Sequence, residues 1–327
     1  MRFLAVTVVA AGAGAYVRSE GDSGSSTLNP LSFTKYQVVS KDPVSSTGSI
    51  FTLRPTKSDH NAGVYEEAWR AGVWSVMFKQ PQLQIGRDYT PLPPLITSQD
   101  EDALRFFIRR DPAGEVSRYV HRLELGETVE MRGPQLEYKI PNDTRQILFI
   151  AGGTGIAPAL QASHTLLNRT RGGDKPRIHI LWANRRREDC LGGLSDTADR
   201  PRRSWLGKMF NPLQPPPVPA VTPNSPPSLV VRELEALKAQ HPGQITVDYF
   251  VDEEKTFVKK ENIMNFTQHS PLAGESRDSQ LILVSGPEGF ISYMAGPKMW
   301  AQGVEVQGPL GGIIRELNLR GWGVWKL

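Results

Sequence analysis

The stretch QILFIAGGTGIAP at residues 146–158 decides how the second half of the chain folds. Residues 146–151 form a nearly unbroken apolar run, which is typical of a strand buried on both faces of a sheet. The glycines that follow predict a tight turn, and residues 159–168 have helical spacing. At such a turn, backbone N–H groups can approach a phosphate, and the start of the next helix contributes about half a positive charge. The stretch therefore predicts a strand, a phosphate-binding turn and a helix in succession.

The same glycines could form a plain tight turn without a ligand. They do not make the dinucleotide fingerprint, since a third glycine is missing at the required spacing, nor a P-loop, since no Gly-Lys-Ser/Thr follows. Their position after a buried strand favours phosphate binding. Pro158 is compatible with a helix start, where its missing N–H would have no partner.

Strand and helix patterns alternate over the rest of the second half. Strand patterns recur at residues 177–183, 245–251 and 281–285, and a helix pattern occurs at residues 229–240. This alternation is typical of an α/β domain with a mostly parallel sheet. We therefore predict an α/β parallel-sheet nucleotide-binding domain at residues 144–327. Residues 192–228 contain a proline-rich run and are predicted to be a disordered insertion.

The first half of the chain carries short strand patterns without alternating helices. β-branched or aromatic runs bounded by turn residues occur at residues 34–40, 49–54, 73–79, 104–109 and 127–131. Strands of this length and spacing predict a small antiparallel β-barrel at residues 31–143. Residues 114–123 differ, because their apolar residues recur with helical spacing.

The composition is that of a globular protein. Of 327 residues, 39% are hydrophobic and 22% are charged, which excludes wholesale disorder and collagen-like structure, and the length favours about two domains. The single cysteine, Cys190, excludes an intramolecular disulfide framework. The net charge of +4 is too small to indicate an acidic partner by itself.

Residues 1–30 form an apolar N-terminal segment and a small polar linker. Residues 3–17 are uncharged, but they are fewer than the roughly 20 residues that span a bilayer. The segment could be a cleaved secretory signal, a marginal membrane anchor or an apolar tail without a role. We expect a membrane anchor as one option, joined by a flexible linker to the rest of the chain.

Two further segments could bind the rest of a nucleotide cofactor. Alternation along a strand sends Arg87 and Tyr89 to one side and Thr90 to the other. The arginine can bind a pyrophosphate, the tyrosine can cover an aromatic ring, and the threonine can hydrogen-bond a ring edge, although a surface Arg–Tyr pair would look the same. Gly286 and Pro287 follow a predicted strand at the carboxyl edge of the sheet, where open α/β sheets bind ligands.

In this order, the segment at residues 87–90, the glycine-rich turn and the Gly286-Pro287 turn resemble the ferredoxin–NADP reductase superfamily, most closely its cytochrome b5 reductase branch. The resemblance covers about residues 33–327. It implies an FAD-binding barrel followed by a nicotinamide-nucleotide domain, with FAD and either NADH or NADPH as cofactors. The implied enzyme passes a hydride from NAD(P)H to the flavin and then single electrons to an acceptor.

The resemblance implies a role for each matching residue. Arg87 would hold the FAD pyrophosphate, Tyr89 would lie against the isoalloxazine, and Thr90 would hydrogen-bond near flavin N5. Further FAD-binding residues would be Ile108 and Arg109 on the flavin strand and Gly114, Glu115, Val116 and Ser117 at the start of a short helix. The nicotinamide dinucleotide would lie on Gly152, Gly153, Thr154, Gly155, Ile156 and Pro158, with Gly286 and Pro287 at its nicotinamide end. Thr90 and Ser285 would act at the reacting atoms.

Three features depart from the family pattern. Ser285 stands where many members have a cysteine that helps to place the nicotinamide, so we expect slower hydride transfer. Residues 109–111 (RRD) replace a Lys–Tyr pairing on the flavin strand. Trp325, near the C-terminal end, could shield the flavin face or could be a core tryptophan.

The sequence leaves the choice between NADH and NADPH open. Asp189 falls where NADH-using relatives carry an acidic residue that would repel a 2′-phosphate. The arginines at residues 185–187 could equally hold that phosphate, or they could be a solvated charge run.

At a finer level, residues 31–55, 74–85 and 89–94 are similar to fungal mitochondrial flavoproteins called cytochrome c import factors. This similarity implies anchoring in the mitochondrial inner membrane on the intermembrane-space side, and a role in haem attachment. The expected electron acceptor is a haem protein or the haem-attachment machinery, namely cytochrome c and haem lyase. A flavin-bearing assembly factor without catalysis and a diaphorase of the cytochrome b5 reductase type are the alternatives.

Other chemistries find little support in the sequence. The six histidines include no pair at i, i+4, so no metal site is expected. No Gly-x-Ser-x-Gly elbow occurs for a serine nucleophile. No basic stripe carries interleaved aromatic residues, so no nucleic-acid partner is expected.

Overall fold

The computed structural model describes residues 27–57, 61–95, 100–169, 175–197, 226–268 and 279–327. The predicted apolar segment at residues 3–17 and most of the predicted insertion at residues 192–228 lie outside these residues. In the part of the chain that is described, no helix combines the length and the apolar character needed to cross a membrane.

The N-terminal half of the described chain forms one antiparallel sheet of seven strands, in the order β4-β3-β7-β1-β2-β6-β5. The strands are β1 (Thr34–Pro43), β2 (Gly48–Pro55), β3 (Gly72–Gln80), β4 (Ile85–Tyr89), β5 (Pro91–Leu92), β6 (Leu104–Arg109) and β7 (Thr128–Lys139). Strands β4 and β5 are separated by Thr90 alone, yet β4 pairs with β3 and β5 pairs with β6 at the opposite edge. The sheet therefore curls until the chain itself joins its two edges, and the predicted antiparallel barrel is confirmed.

The barrel encloses an aromatic core. Tyr36, Trp74, Phe78 and Phe106 are fully buried in one cluster, because alternate residues of each strand face inward. Helix α1 (Ala62–Ala71) adds Tyr65 and Ala68 to this cluster, and helix α2 (Glu115–Arg122) adds Val116 and Val120.

The C-terminal half contains a parallel sheet of five strands in the described residues, in the order β10-β9-β8-β11-β14. These strands are β8 (Gln146–Gly152), β9 (Arg177–Asn184), β10 (Ile245–Val251), β11 (Gln280–Ser285) and β14 (Gly323–Lys326), and a separate hairpin joins β12 (Met299–Ala301) to β13 (Val304–Val306). The helices are α3 (Ile156–Leu167), α4 (Leu229–Gln240), α5 (Lys260–Thr267), α6 (Glu288–Ala295) and α7 (Gly312–Leu317). Every residue of β8 and β11 is buried, because apolar clusters pack on both faces of the sheet. The predicted parallel α/β domain is confirmed.

Two elements differ from the prediction in position. Helix α3 begins at Ile156 rather than at residue 159, and Pro158 does not interrupt it, because N–H groups in the first turn of a helix have no partner within the helix. Trp325 lies on β14, which was not predicted, and its ring is 5.0 Å from that of Tyr138 on the barrel strand β7.

The barrel and the parallel sheet pack directly against each other. Phe107 and Leu92 of the barrel belong to the same apolar cluster as Ile156 and Trp182 of the second half. Arg105 of β6 also pairs with Glu233 of α4 at 2.7 Å, and burial raises the pKa of this carboxyl although Arg105 opposes the shift. This contact brings the strand β6 to the carboxyl edge of the parallel sheet.

Candidate functional site

The glycine-rich turn lies back to back with the turn that follows β11. Ala151 and Ser285 are paired residues at the ends of the parallel strands β8 and β11. A Cβ on Gly155 would stand 2.4 Å from the Ser285 carbonyl oxygen, so only glycine allows the two turns to approach this closely. Gly286 adopts a φ of +152°, which also favours glycine. Two segments predicted separately therefore form one surface.

Arg109 of the barrel reaches over this surface. Its Nη1 lies 3.3 Å from the point where a Cβ on Gly153 would stand, and Gly153 has a φ of +55°. Trp182 holds the turn in place, since its Nε1–H donates to the Gly153 carbonyl at 2.9 Å. Within the described residues, the buried Arg109 Nε has no hydrogen-bond partner. The turn, in which Thr154 alone carries a side chain, thus lies beside a guanidinium.

Asp189 lies between the two halves rather than on an open surface. It is 2% exposed, and its two carboxylate oxygens accept hydrogen bonds from Arg109 Nη2 at 2.7 Å and from Ser45 Oγ at 2.8 Å. Its neighbour Glu188 accepts from the Ser46 backbone N–H at 3.0 Å. The structure therefore gives Asp189 an interdomain contact that the sequence did not predict, and its contact with a nucleotide stays a prediction.

The arginines that follow β9 are paired with carboxylates. Arg187 Nε donates to Glu254 at 2.6 Å, and this hydrogen bond raises the pKa of Arg187 and lowers that of Glu254. Arg186 lies 3.3 Å from Glu188. The acidic turn Asp252–Glu254, after β10, therefore lies beside residues 185–187. Arg186 and Arg187 are therefore ion-paired, Arg186 with its side chain 61% exposed, and their role toward a 2′-phosphate stays a prediction.

The segment predicted to bind FAD ends the strand β4. The Arg87 guanidinium is exposed, and its Nη1–H donates to the Gly86 carbonyl at 2.8 Å. The Tyr89 ring packs on Phe78 with 4.9 Å between centroids, and burial raises the pKa of its hydroxyl, so that the hydroxyl stays protonated. Thr90 is partly buried at the point where the chain crosses from one edge of the barrel sheet to the other.

The start of α2 faces the same region. Gly114 precedes the helix, and Ser117 Oγ accepts from the Asp111 N–H and donates to the Gly114 carbonyl, both at 3.1 Å. A Cβ on Gly114 would stand 2.7 Å from Ser117 Oγ, so the glycine permits this tight loop. The first N–H groups of the helix, at Glu115 and Val116, have no acceptor within the helix and can bind an anion.

Some predicted residues cannot contact a cofactor through their side chains. Ile108 is fully buried in the barrel core, because alternation along β6 turns Arg109 outward and Ile108 inward, so only its backbone is available and its place on the flavin strand stays a prediction. Val116 and Ile156 are also buried and offer only backbone groups. Pro158 is buried and has no N–H, so its role is limited to shaping the helix start.

Two residues that the sequence analysis did not select lie at the same edge. Asn184 ends β9 and is 3% exposed, and neither polar atom of its side chain has a partner within the described residues. Gln161 of α3 is fully buried and hydrogen-bonds the barrel backbone. The signal for both was a polar side chain in an otherwise apolar stretch at the carboxyl edge of the sheet.

The surface has the chemistry that an FAD and a nicotinamide dinucleotide require. The exposed Arg87 and the start of α2 can hold one diphosphate, and the glycine-rich turn next to Arg109 can hold another. The Asn184 amide, at the end of β9, carries a donor and an acceptor without partners in the described residues, but both atoms are buried rather than open to this surface. A separate cavity of about 1050 Å³, lined by residues of α1, β6 and the last turn of α3, contains none of the predicted residues.

Two family models match the chain. One is described as an oxidoreductase FAD-binding domain and matches residues 35–140, and the other is described as an oxidoreductase NAD-binding domain and matches residues 149–196. They cover the barrel and the first part of the parallel sheet.

Curated relatives share both halves. NADH-cytochrome b5 reductase 2 of Meyerozyma guilliermondii is 26% identical over 243 residues, which are 73% of this chain and 67% of the relative. NADH-cytochrome b5 reductase 1 of Aspergillus fumigatus is 31% identical over 194 residues, covering 57% and 60% of the two chains. An uncharacterised FAD-binding protein of Schizosaccharomyces pombe is 30% identical over 185 residues, covering 56% and 63%. The chain thus spans about two thirds of the length of these relatives.

Solved structures share the fold. The cytochrome b5 reductase domain of Ulva prolifera nitrate reductase superposes with a TM-score of 0.55 at 19% identity, covering 81% of this chain and 91% of that domain. Flavohemoglobin from Malassezia yamatoensis gives a TM-score of 0.58 at 14% identity, covering 92% and 61%. At these identities the likeness concerns the fold alone.

An antiparallel barrel with Arg-x-Tyr-Thr at the end of its strand β4, packed on a parallel sheet with a glycine-rich turn at its carboxyl edge, defines a two-domain flavoprotein oxidoreductase. The chain is an FAD- and NAD(P)H-dependent oxidoreductase with an FAD-binding and an NAD-binding domain, and it is similar to NADH-cytochrome b5 reductases. The predicted fold class and the predicted cofactors are confirmed at this level.

Proposed function

We propose that this oxidoreductase takes electrons from NAD(P)H and delivers them through bound FAD to a haem protein. The observation that carries the proposal is the meeting of three segments at one interdomain surface. The turn Gly153–Gly155 contacts the Ser285-Gly286 turn through the backbone, and Arg109 of the barrel lies against Gly153. The strand end at Thr90 is joined to this surface through Pro91, whose carbonyl accepts a hydrogen bond from Gln161 of α3.

The chain's own residues bind and orient the two cofactors. Arg87 and the start of α2 would hold the FAD diphosphate, while Tyr89 and Thr90 would position the ring system. Gly152 to Gly155 and the Gly286-Pro287 turn would hold the nicotinamide dinucleotide, with Arg109 supplying positive charge between the domains. When bound, FAD supplies the conversion from two-electron to one-electron chemistry.

The proposed transfer needs no proton-donating residue near the reacting atoms. Tyr89 remains protonated because burial raises the pKa of its hydroxyl, so it contributes its ring and a neutral hydroxyl. The remaining task of the protein is placement, since proximity and orientation can account for roughly 7–11 kcal/mol of a barrier. Packing of the two domains through the apolar cluster around Phe107 and Ile156 keeps that placement fixed.

The haem protein acceptor is supported by the relatives, which are named as NADH-cytochrome b5 reductases. At a finer level, we propose support of haem attachment to mitochondrial cytochrome c, with haem lyase or cytochrome c as partner, at the intermembrane-space side of the inner membrane. The similarity of residues 31–55, 74–85 and 89–94 to cytochrome c import factors supports this finer proposal.

The experiment uses the full chain loaded with FAD under anaerobic conditions. NADH or NADPH is added first, and ferric cytochrome b5, ferric cytochrome c or free ferric haem follows in separate reactions. Bleaching of the visible flavin band and its recovery with a haem acceptor support the proposal. Bleaching without recovery with any of the three would overturn the haem acceptor, and a bound flavin that never bleaches would favour a non-catalytic assembly factor.

A further inference from the structure

Gln161 connects helix α3 to two strands of the barrel. The side chain is fully buried. Its Oε1 accepts the Trp74 N–H of β3 at 2.9 Å, and its Nε2–H donates to the Pro91 carbonyl of β5 at 2.8 Å. A single carboxamide from the second domain therefore binds the backbone of two barrel strands.

These two strands are not paired with each other in the sheet. In the strand order, β3 lies next to β4 and β7, whereas β5 lies next to β6 at the opposite edge. A carboxamide offers one acceptor and one donor group with the geometry of a peptide unit, so Gln161 supplies the hydrogen bonds that the open seam lacks. A methionine would fill similar volume but would leave the Trp74 N–H and the Pro91 carbonyl without these partners.

The position of Gln161 links the two predicted cofactor sites. Helix α3 begins at Ile156, directly after the glycine-rich turn, and five residues of helix span about 7.5 Å. Pro91 directly follows Thr90 on the strand that is expected to position the flavin. A rigid path of one helical turn and one side chain therefore joins the nicotinamide site to the flavin strand.

We propose that Gln161 is a positioning residue that fixes the distance between the glycine-rich turn and Thr90. This inference rests on the proposed function, because the distance matters for transfer between two bound cofactors. A misplacement of about 1 Å can lower the rate of such a transfer by about 100-fold. Loss of Gln161 is therefore expected to reduce the rate of transfer much more than the binding of either cofactor.

The test compares Gln161→Met with Gln307→Met in the full chain. Gln307 is a matched control, since its carboxamide also binds two backbone groups, donating to the Lys326 carbonyl and accepting the Lys326 N–H, both at 2.8 Å. Three quantities are measured: amide hydrogen exchange at Trp74 without cofactors, the Kd of NAD⁺, and the rate constant of flavin bleaching at saturating NADH.

For Gln161→Met we expect faster exchange at Trp74, a Kd for NAD⁺ within about twofold of wild type, and bleaching slowed by about 10- to 100-fold. For Gln307→Met we expect no change in any of the three. The visible circular dichroism of the bound flavin should differ from wild type only in the Gln161 variant.

A second variant, Gln161→Glu, gives a readout that a general loss of stability would not produce. A protonated glutamic acid keeps one donor and one acceptor, as glutamine does, whereas the carboxylate has acceptors only and faces the Pro91 carbonyl. Burial raises the pKa of such a carboxyl. The bleaching rate of Gln161→Glu should therefore approach wild type at low pH and fall through one ionisation that wild type lacks.

The outcomes separate this proposal from the proposed function. Wild-type protein that holds FAD but is not bleached by NADH or NADPH would overturn the proposed function and the positioning role with it. Wild-type protein that bleaches normally, with Gln161→Met at the same rate or Gln161→Glu without the extra ionisation, would overturn the role of Gln161 alone. If Gln161→Met loses its FAD, its bleaching rate cannot be compared with wild type. The extra ionisation in the pH profile of Gln161→Glu then supports the role of Gln161, and its absence overturns that role.

Discussion

Replacing Asp189 with alanine tests whether this residue joins the two domains. Asp189 is 2% exposed and accepts from Arg109 and Ser45, so its removal leaves Arg109 beside a turn with no carboxylate. Removing one partner of a buried pair costs about 3–5 kcal/mol. Since the Arg109 side chain is 25% exposed, water offsets part of this cost, and we expect a loss of about 2–3 kcal/mol.

The assay is urea unfolding of the full chain without cofactors, followed by circular dichroism. Glu188→Ala is the control for an exposed contact between the same two segments, since its side chain is 35% exposed and water weakens its hydrogen bonds from Ser46 and its ion pair with Arg186 to about 1 kcal/mol. A second measurement compares the affinities of each variant for NADP⁺ and NAD⁺. If Asp189→Ala unfolded like Glu188→Ala but bound NADP⁺ more tightly, Asp189 would face the nucleotide and the interdomain role would be refuted.

Three further predictions concern other parts of the molecule. Arg87→Ala should weaken FAD binding by about 10- to 100-fold in a titration, because a charged hydrogen bond is lost. The exposed control Arg70→Ala should leave FAD binding unchanged, and full flavin retention by Arg87→Ala would contradict the assigned site. Gly155→Ala should lower the free energy of unfolding by about 1–3 kcal/mol, because the added Cβ meets the Ser285 carbonyl. Gly289→Ala is the control, since its Cβ meets nothing within 4 Å and should not change that free energy. Equal unfolding midpoints of the two variants would argue against the contact between the turns. Burial lowers the pKa of His179 below 6.5 in the folded chain, so the unfolded chain binds the proton first as the pH falls. The free energy of unfolding should therefore decline below pH 6.5. His179→Gln should flatten this decline in urea unfolding, and an unchanged slope would show that His179 is not its source.

The sequence was sufficient where local pattern and burial agree. The apolar run before the glycines predicted β8, and the spacing at residues 114–123 predicted α2, because both elements bury one continuous set of apolar side chains. The glycine-rich turn and the Gly286-Pro287 turn also lie side by side as expected, because parallel strands end at a common edge.

The contacts between the domains could not be predicted from local pattern. Asp189 and Ser45 are far apart in the chain, and nothing near either residue indicates that the hairpin between β1 and β2 reaches β9. Alternation places Ile108 and Arg109 on opposite faces of β6, but which of the two faces the barrel core depends on how β6 packs, which is a tertiary property. A polar residue in an apolar helix marks Gln161, but its partners Trp74 and Pro91 could not be predicted, since they belong to another domain.

Anaerobic titration of the FAD-loaded full chain with NADH and with NADPH tests most directly whether the two halves work together. We predict that the purified chain binds FAD and that at least one of the two nucleotides bleaches the flavin band completely. A chain that takes up no FAD when it is supplied in excess, or a bound flavin that neither nucleotide reduces, would contradict a flavin site facing a nicotinamide site across the domain contact.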